Sequence, residues 1–156
     1  MTASLEPGSV APVFSAPLTG GHQLDLAQHR GKTVVLYFYP KDDTAGCTQE
    51  AIDFSANTKT FAKLGAVVIG VSRDGMKSHE RFIAKHNLTI PLAPDEDGAI
   101  SNAYGVWVEK SMYGKKYMGI ERSTFVIGPD GRILAVWRKV KVPGHVEAVI
   151  KVLQSA

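Results

Sequence analysis

The sequence of 156 residues contains a single cysteine, Cys47. A lone cysteine excludes an intrachain disulfide framework and any cysteine-rich zinc site. The longest apolar runs, VVLYFY and AVVIGV, are too short to span a bilayer. The N-terminal stretch MTASLEPG lacks the basic and then apolar pattern of a secretory signal. We therefore expect a cytoplasmic protein with no membrane segment.

Several ligand-binding motifs are also missing. The GKT at Gly31–Thr33 has Leu26 where a phosphate-binding loop requires glycine, and no G-x-G-x-x-G occurs. The five histidines show no short metal-ligand spacing. His79 and His86 lie seven residues apart on a predicted helix, and we interpret both as surface residues without a role.

The composition is that of an ordinary globular domain. Hydrophobic residues make up 44% and charged residues 21% of the chain, which argues against disorder, collagen and coiled coil. The length suits one domain, and we predict that residues 1–156 form it.

Charge is distributed unevenly along the chain. Residues 1–109 have a formal balance of −3, whereas residues 110–156 have +6. A basic half can indicate an acidic partner such as nucleic acid. However, no zinc-finger spacing, helix-turn-helix cue or aromatic RNA-binding signature accompanies it, so we favour a solvated basic face and expect no nucleic acid partner.

Buried strands alternate with helices along most of the chain. TVVLYFY and AVVIGVS are β-branched or aromatic on both faces, which is typical of central strands. A helical stripe runs from Cys47 to Gly65, an amphipathic helix covers 75–87, and a β-hairpin is centred on Pro129-Asp130-Gly131. The predicted order, β-α-β-α-β-α-β-β-α, indicates an α/β three-layer sandwich whose mixed sheet of about five strands has helices on both faces.

Cys47 lies where a polar loop gives way to a helix. Unpaired amides and the positive end of the helix favour a thiolate at such a position. Ala51 and Phe54, four and seven residues later, place Cys47 on the face toward the sheet, so we expect a recessed and only partly exposed nucleophile. A small apolar residue at the edge of the core is the alternative.

The residues around Cys47 resemble a known family. YFYPKDDTAGCT contains a P-x-x-x-T-x-x-C pattern at Pro40, Thr44 and Cys47, and IERSTFVIGPDG later supplies Arg122. With GSVAPVFSAP and WRKVKVPGHVE, the resemblance to peroxiredoxins covers nearly the whole chain. It is nearest to the branch called bacterioferritin comigratory protein or peroxiredoxin Q, which has a thioredoxin-like fold.

The resemblance implies a role for each matching residue. Cys47 would be the peroxidatic cysteine, which attacks peroxide and becomes a sulfenic acid. Thr44 and Arg122 would hydrogen-bond the peroxide and the thiolate, Pro40 would shield the thiolate, and Glu50 would help to orient Arg122. Taken alone, Thr44 is explained as a helix N-cap and Glu50 by the dipole of a first helical turn. No metal or organic cofactor is implied.

The chain departs from this branch in lacking a second cysteine. Relatives often have a resolving cysteine where this chain has Ile52, or on the next helix near Ile83, and many have proline at Ala45. An external thiol, from thioredoxin, glutaredoxin with glutathione or a small molecule, would then reduce the sulfenic acid. The resemblance also favours a monomer or weak dimer.

Two other functions are compatible with parts of the sequence. A thiol-disulfide oxidoreductase needs C-x-x-C, and the matching residues here are Cys47-Thr48-Gln49-Glu50. A redox-sensing or nucleic-acid-binding module would use the basic face, and salt-dependent DNA binding without peroxide consumption would identify it.

Overall fold

The computed structural model describes residues 5–156. The first four residues of the predicted domain lie outside the described residues, as does the first half of MTASLEPG, the stretch in which we expect no secretory signal. In chain order the elements are β1 (Ser15–Leu18), β2 (His22–Asp25), β3 (Thr33–Phe38), α1 (Ala45–Ala56), α2 (Thr58–Lys63), β4 (Ala66–Ser72), α3 (Met76–His86), β5 (Leu92–Pro94), α4 (Ala99–Ala103), β6 (Trp107–Met112), β7 (Lys115–Ile120), β8 (Ser123–Ile127), β9 (Ile133–Trp137) and α5 (His145–Ser155). No helix within 5–156 is long and apolar enough to cross a bilayer.

A mixed sheet of five strands, in the order β5-β4-β3-β8-β9, forms the centre of the molecule. β3 runs parallel to β4, and β4 runs parallel to β5. β8 runs antiparallel to both β3 and β9. The predicted mixed sheet of five strands is confirmed, including the hairpin around Pro129-Asp130-Gly131.

Side chains of β3 alternate between two hydrophobic clusters because successive residues of a strand point to opposite faces. Leu36 and Phe38 belong to the cluster that β1, β2 and α4 complete. Val35 and Tyr37 belong to the other cluster, which contains side chains of α1, α2, α3 and α5. Helices therefore lie on both faces, as predicted, with most of them on one.

The structure corrects two sequence expectations. The segment from Cys47 to Gly65 is two helices rather than one, because the chain breaks at Asn57 (φ −111°, ψ 15°). A second hairpin, formed by β6 and β7, was not predicted. Its strands mix apolar with polar residues and are largely exposed, so they lack the buried pattern on which the strand predictions rested.

Strand register brings the two halves of the candidate site together. β3 ends at Phe38, and a loop then leads into α1 and Cys47. Phe38 pairs with Ser123, the first residue of β8. Arg122 therefore lies at the same edge of the sheet as the loop that precedes α1.

Candidate active site

Cys47 is the third residue of α1, after the N-cap residue Thr44 (φ −96°, ψ 158°). Its thiol thus lies in the first helical turn, where backbone N–H groups have no partner within the helix. Cys47 is only 1% exposed, less than the partial exposure predicted. It packs with Ala51 and Phe54 against the sheet, and this packing buries it, whereas the preceding residues 44–46 are exposed.

The Arg122 guanidinium bridges the thiol and a carboxylate. Its Nη2 donates a hydrogen bond to Cys47 Sγ at 3.2 Å, and its Nη1 donates to Glu50 Oε1 at 2.7 Å. The Arg122 side chain is 16% exposed, so water screens these contacts only weakly. The structure therefore brings together three of the predicted residues: Cys47, Glu50 and Arg122.

Glu50 lies in the second turn of α1 and is fully buried, so the dipole of a first turn does not explain it. Burial raises its pKa to about 7, although Arg122 acts in the opposite direction. Its second oxygen, Oε2, has no hydrogen-bond partner within residues 5–156. Burial also opposes the charge of Arg122, but Glu50 and Cys47 outweigh it and hold the pKa of Arg122 above its ordinary value.

Gly46 is a residue of the site that the sequence analysis missed. A Cβ built at this position would lie 3.2 Å from Arg122 Nη2, tighter than an ordinary contact. The missing side chain thus allows the guanidinium to approach the first turn of α1. Glycine is unfavourable within a helix, so its occurrence in the predicted first turn was the feature of the sequence that could have identified Gly46 as a site residue.

Thr44 and Pro40 flank the site, and the Thr44 hydroxyl makes no hydrogen bond to the sulfur. The Thr44 hydroxyl donates to the Lys41 carbonyl oxygen at 2.9 Å and makes no capping bond to α1. Pro40 is exposed immediately after β3. Their predicted roles toward peroxide therefore remain predictions.

The loop before α1 also contacts a buried histidine. His79 is fully buried and approaches Asp42 at 2.8 Å, so its interpretation as a surface residue was wrong. Asp42, Asp74 and His79 place possible metal-ligand atoms within 4.8 Å of one another. Those carboxylate oxygens and the ring nitrogens of His79 already lie within hydrogen-bonding distance of protein groups, so we describe them as a hydrogen-bond network.

Comparisons with known proteins agree with this geometry. A model of the AhpC/TSA family matches residues 7–136. Peroxiredoxin Bcp of Xanthomonas campestris is 50% identical over 147 residues, which cover 93% of this chain and 92% of the relative. Peroxiredoxin Bcp of Bacillus subtilis is 46% identical over 151 residues, covering 97% and 96%.

The chain belongs to the AhpC/TSA family. It is a peroxiredoxin, an enzyme that reduces peroxides with a thiol. A solved structure of Xanthomonas campestris peroxiredoxin Q superposes with a TM-score of 0.88 at 47% identity, covering 97% of this chain and 96% of that one. The thioredoxin-like fold implied by the sequence resemblance is confirmed.

The cysteine content of this peroxiredoxin differs from that of the Xanthomonas protein. Structures of the latter have been solved with either of two different cysteines replaced by serine. This chain has Cys47 alone, so a disulfide within one chain is excluded.

Proposed function

We propose that this peroxiredoxin reduces hydrogen peroxide and organic hydroperoxides with Cys47 as its sole redox centre. The thiolate attacks one peroxide oxygen, and the S–O bond forms as the O–O bond breaks. The other oxygen leaves as hydroxide or alkoxide and takes up a proton. Sulfur is oxidised by two electrons to sulfenic acid, and the peroxide is reduced to water or an alcohol.

The contact between Arg122 Nη2 and Cys47 Sγ at 3.2 Å carries this proposal. A guanidinium so close to sulfur stabilises the thiolate, and the helix N-terminus adds about 0.3–1 kcal/mol. The same donor lies near the position where negative charge develops on the leaving oxygen. Donors placed at developing charge are the larger source of rate in most enzymes.

Neighbouring side chains take supporting roles in the proposal. Because the Thr44 hydroxyl gives its proton to the Lys41 carbonyl, its lone pairs remain available to accept a hydrogen bond from the incoming hydroperoxide. Glu50 orients Arg122 through the bond at 2.7 Å, and Pro40 shields the thiolate. Peroxide reaches the buried sulfur through the exposed turn at residues 44–46.

Recycling requires thiols from outside the chain. One thiol attacks the sulfenic acid, forms a mixed disulfide and releases water; a second thiol then reduces that disulfide and restores Cys47. Thioredoxin, or glutaredoxin with glutathione, are the donors we propose for a cytoplasmic monomer or weak dimer. Among the organic substrates we include alkyl peroxides, since a related Xanthomonas protein is described by its alkyl peroxide reduction activity.

A turnover assay tests the proposal. Peroxide consumption should be catalytic only when a donor thiol is supplied. Without it, one equivalent should be consumed rapidly, and any further loss should be the slower oxidation of the sulfenic acid to sulfinic acid. Cys47→Ser should abolish both reactions. Sustained peroxide consumption by the Cys47→Ser protein would contradict the proposal.

A further inference from the structure

A buried hydrogen-bond network fastens the loop before α1 to the neighbouring helix α3. Asp42 accepts hydrogen bonds from Tyr39 Oη at 2.6 Å and Ser78 Oγ at 2.8 Å, and lies 2.8 Å from His79 Nδ1. Its own backbone N–H donates to Asp74 Oδ2 at 2.9 Å. Asp42 thus connects Tyr39, which directly follows β3, with the start of α3 and with the loop itself. We call these five residues the Asp42 network.

The partners of His79 determine how many protons the network holds. His79 Nε2 lies 3.1 Å from the Ala93 carbonyl oxygen, which can only accept, so Nε2 bears hydrogen. On the other side of the ring, Nδ1 faces an Asp42 carboxylate oxygen. The Tyr39 hydroxyl also lies 3.3 Å from Nδ1, but it donates its single proton to Asp42 Oδ1 at 2.6 Å. A hydrogen bond between Nδ1 and Asp42 therefore requires a further proton. The pair therefore contains one proton more than a neutral imidazole and a carboxylate would, and is best described as a buried imidazolium with its carboxylate.

Burial and hydrogen bonding shift the pKa of Asp42 in opposite directions. Burial alone would raise its pKa, but the bonds from His79 and Tyr39 outweigh it and hold the pKa of Asp42 below its ordinary value. A buried carboxylate that loses its cationic partner is strongly unfavourable. Loss of His79 should therefore disturb the loop more than loss of an exposed contact would.

The same loop is strained and has little freedom to shift. Asp43 adopts a left-handed conformation (φ 60°), which is costly for a residue with a side chain. Lys85 and His86 of α3 hold its carboxylate at 2.7 Å and 2.9 Å. Three residues later, the Arg122 guanidinium lies so near Gly46 that a Cβ at this position would be 3.2 Å from Nη2. Movement of the loop would therefore change the contact between Arg122 and the sulfur.

We propose that His79 is a positioning residue for peroxide reduction: acting from α3 through Asp42, it holds the loop that places Cys47 against Arg122. This inference rests on the proposed role of Cys47 as the peroxidatic residue. His79 itself touches neither the sulfur nor the substrate in this account. It acts on the rate only through the geometry of the loop.

His79→Phe keeps a ring of similar size but leaves the Asp42 carboxylate without its cation. We expect the rate constant of reduced Cys47 with hydrogen peroxide to fall about ten- to a hundred-fold, the order expected for a small misplacement of reacting groups. Alkylation by iodoacetamide also needs the thiolate but has no peroxide oxygen for Arg122 to stabilise, so its rate should fall by less than the peroxide rate. His22→Phe, a substitution at an exposed histidine of β2, is the matched control and should leave both rates unchanged.

Asp42→Asn is the conservative variant. Its amide can donate to Nδ1 of a neutral His79 while Nε2 still donates to the Ala93 carbonyl, so the loop should stay in place and most of the rate should remain. Combining it with His79→Phe removes the unpaired carboxylate and should recover part of the lost rate. Such non-additivity indicates that the two residues act through each other.

Nitrogen NMR of His79 tests the same inference without a kinetic assay and without any variant. The contacts of the ring lead us to expect hydrogen on both of its nitrogens. A single ring N–H overturns the inference. An unchanged peroxide rate in folded His79→Phe protein, or strictly additive losses in the double variant, also overturns it. If wild-type Cys47 itself is not oxidised by peroxide, it is the proposed function that fails.

Discussion

Replacing Arg122 by alanine separates two contributions to the rate of peroxide reduction. One is stabilisation of the Cys47 thiolate, and the other is stabilisation of the negative charge that develops on the leaving oxygen. The substitution removes the hydrogen bond to Cys47 Sγ and the partner of Glu50 Oε1. It leaves Glu50 buried, but the pKa of Glu50 is already raised to about 7 by burial. Without the opposing effect of Arg122 the carboxyl group becomes neutral, so we expect the fold to survive.

The two contributions differ in size. An ordinary cysteine thiol with a pKa of about 8.5 is roughly 3% ionised at pH 7, so complete loss of thiolate stabilisation lowers the rate by at most about thirty-fold. Removing a donor aimed at developing charge costs about 10²–10³ in rate. Since Arg122 contributes to both, the peroxide rate in Arg122→Ala should fall by more than thirty-fold.

The assay is stopped-flow reaction with hydrogen peroxide across a range of pH, alongside the thiolate fraction from ultraviolet absorbance. The double variant Glu50→Gln/Arg122→Ala controls for the Glu50 carboxyl group, which loses its partner in Arg122→Ala. Arg30→Ala controls for the loss of an exposed arginine. A rate loss that merely follows the thiolate fraction at each pH would refute the electrostatic argument.

Three further predictions follow from the geometry of the site. Gly46→Ala should keep or raise the melting temperature, since alanine favours helix by about 1 kcal/mol, yet lower the peroxide rate by crowding Arg122; an unchanged rate would contradict this. Because the pKa of Glu50 is raised, its carboxyl group keeps a proton in the folded state that it releases near pH 4.5 in the unfolded chain. The free energy of unfolding that this proton contributes is therefore lost as pH rises from about 4.5 toward about 7. Glu50→Gln should flatten that decline in denaturant titrations, and an identical pH dependence would exclude Glu50 as its source. The buried Tyr37 hydroxyl has no partner within residues 5–156, so Tyr37→Phe should match or exceed the wild-type free energy of unfolding, whereas a clear loss would reveal a missed interaction.

The sequence was most informative where side chains are buried on both faces of a strand. TVVLYFY and AVVIGVS predicted β3 and β4 because both segments are rich in β-branched or aromatic residues that point to both faces of the strand. The β6–β7 hairpin has no such pattern, since most of its residues face solvent. The one feature of the local sequence that favoured a hairpin was Gly114 in the turn between the strands. Tyr113 and Gly114 both adopt positive φ there.

The candidate site was predictable in part. The position of Cys47 in a first helical turn followed from local sequence, and the importance of Arg122 came from family resemblance, because 75 residues separate the two. Gly46 and His79 were missed because their roles depend on tertiary contacts. The spacing of His79 and His86 placed both on one side of α3, and both in fact meet the loop before α1.

We propose that the sulfur of Cys47, held beside Arg122, carries out peroxide reduction. Reduced wild-type protein treated with one equivalent of hydrogen peroxide, trapped at once and analysed by mass spectrometry gives the most direct test. We expect a single added oxygen located on Cys47, formed at the same rate as peroxide is lost. An unmodified Cys47 after the peroxide has been consumed would contradict it.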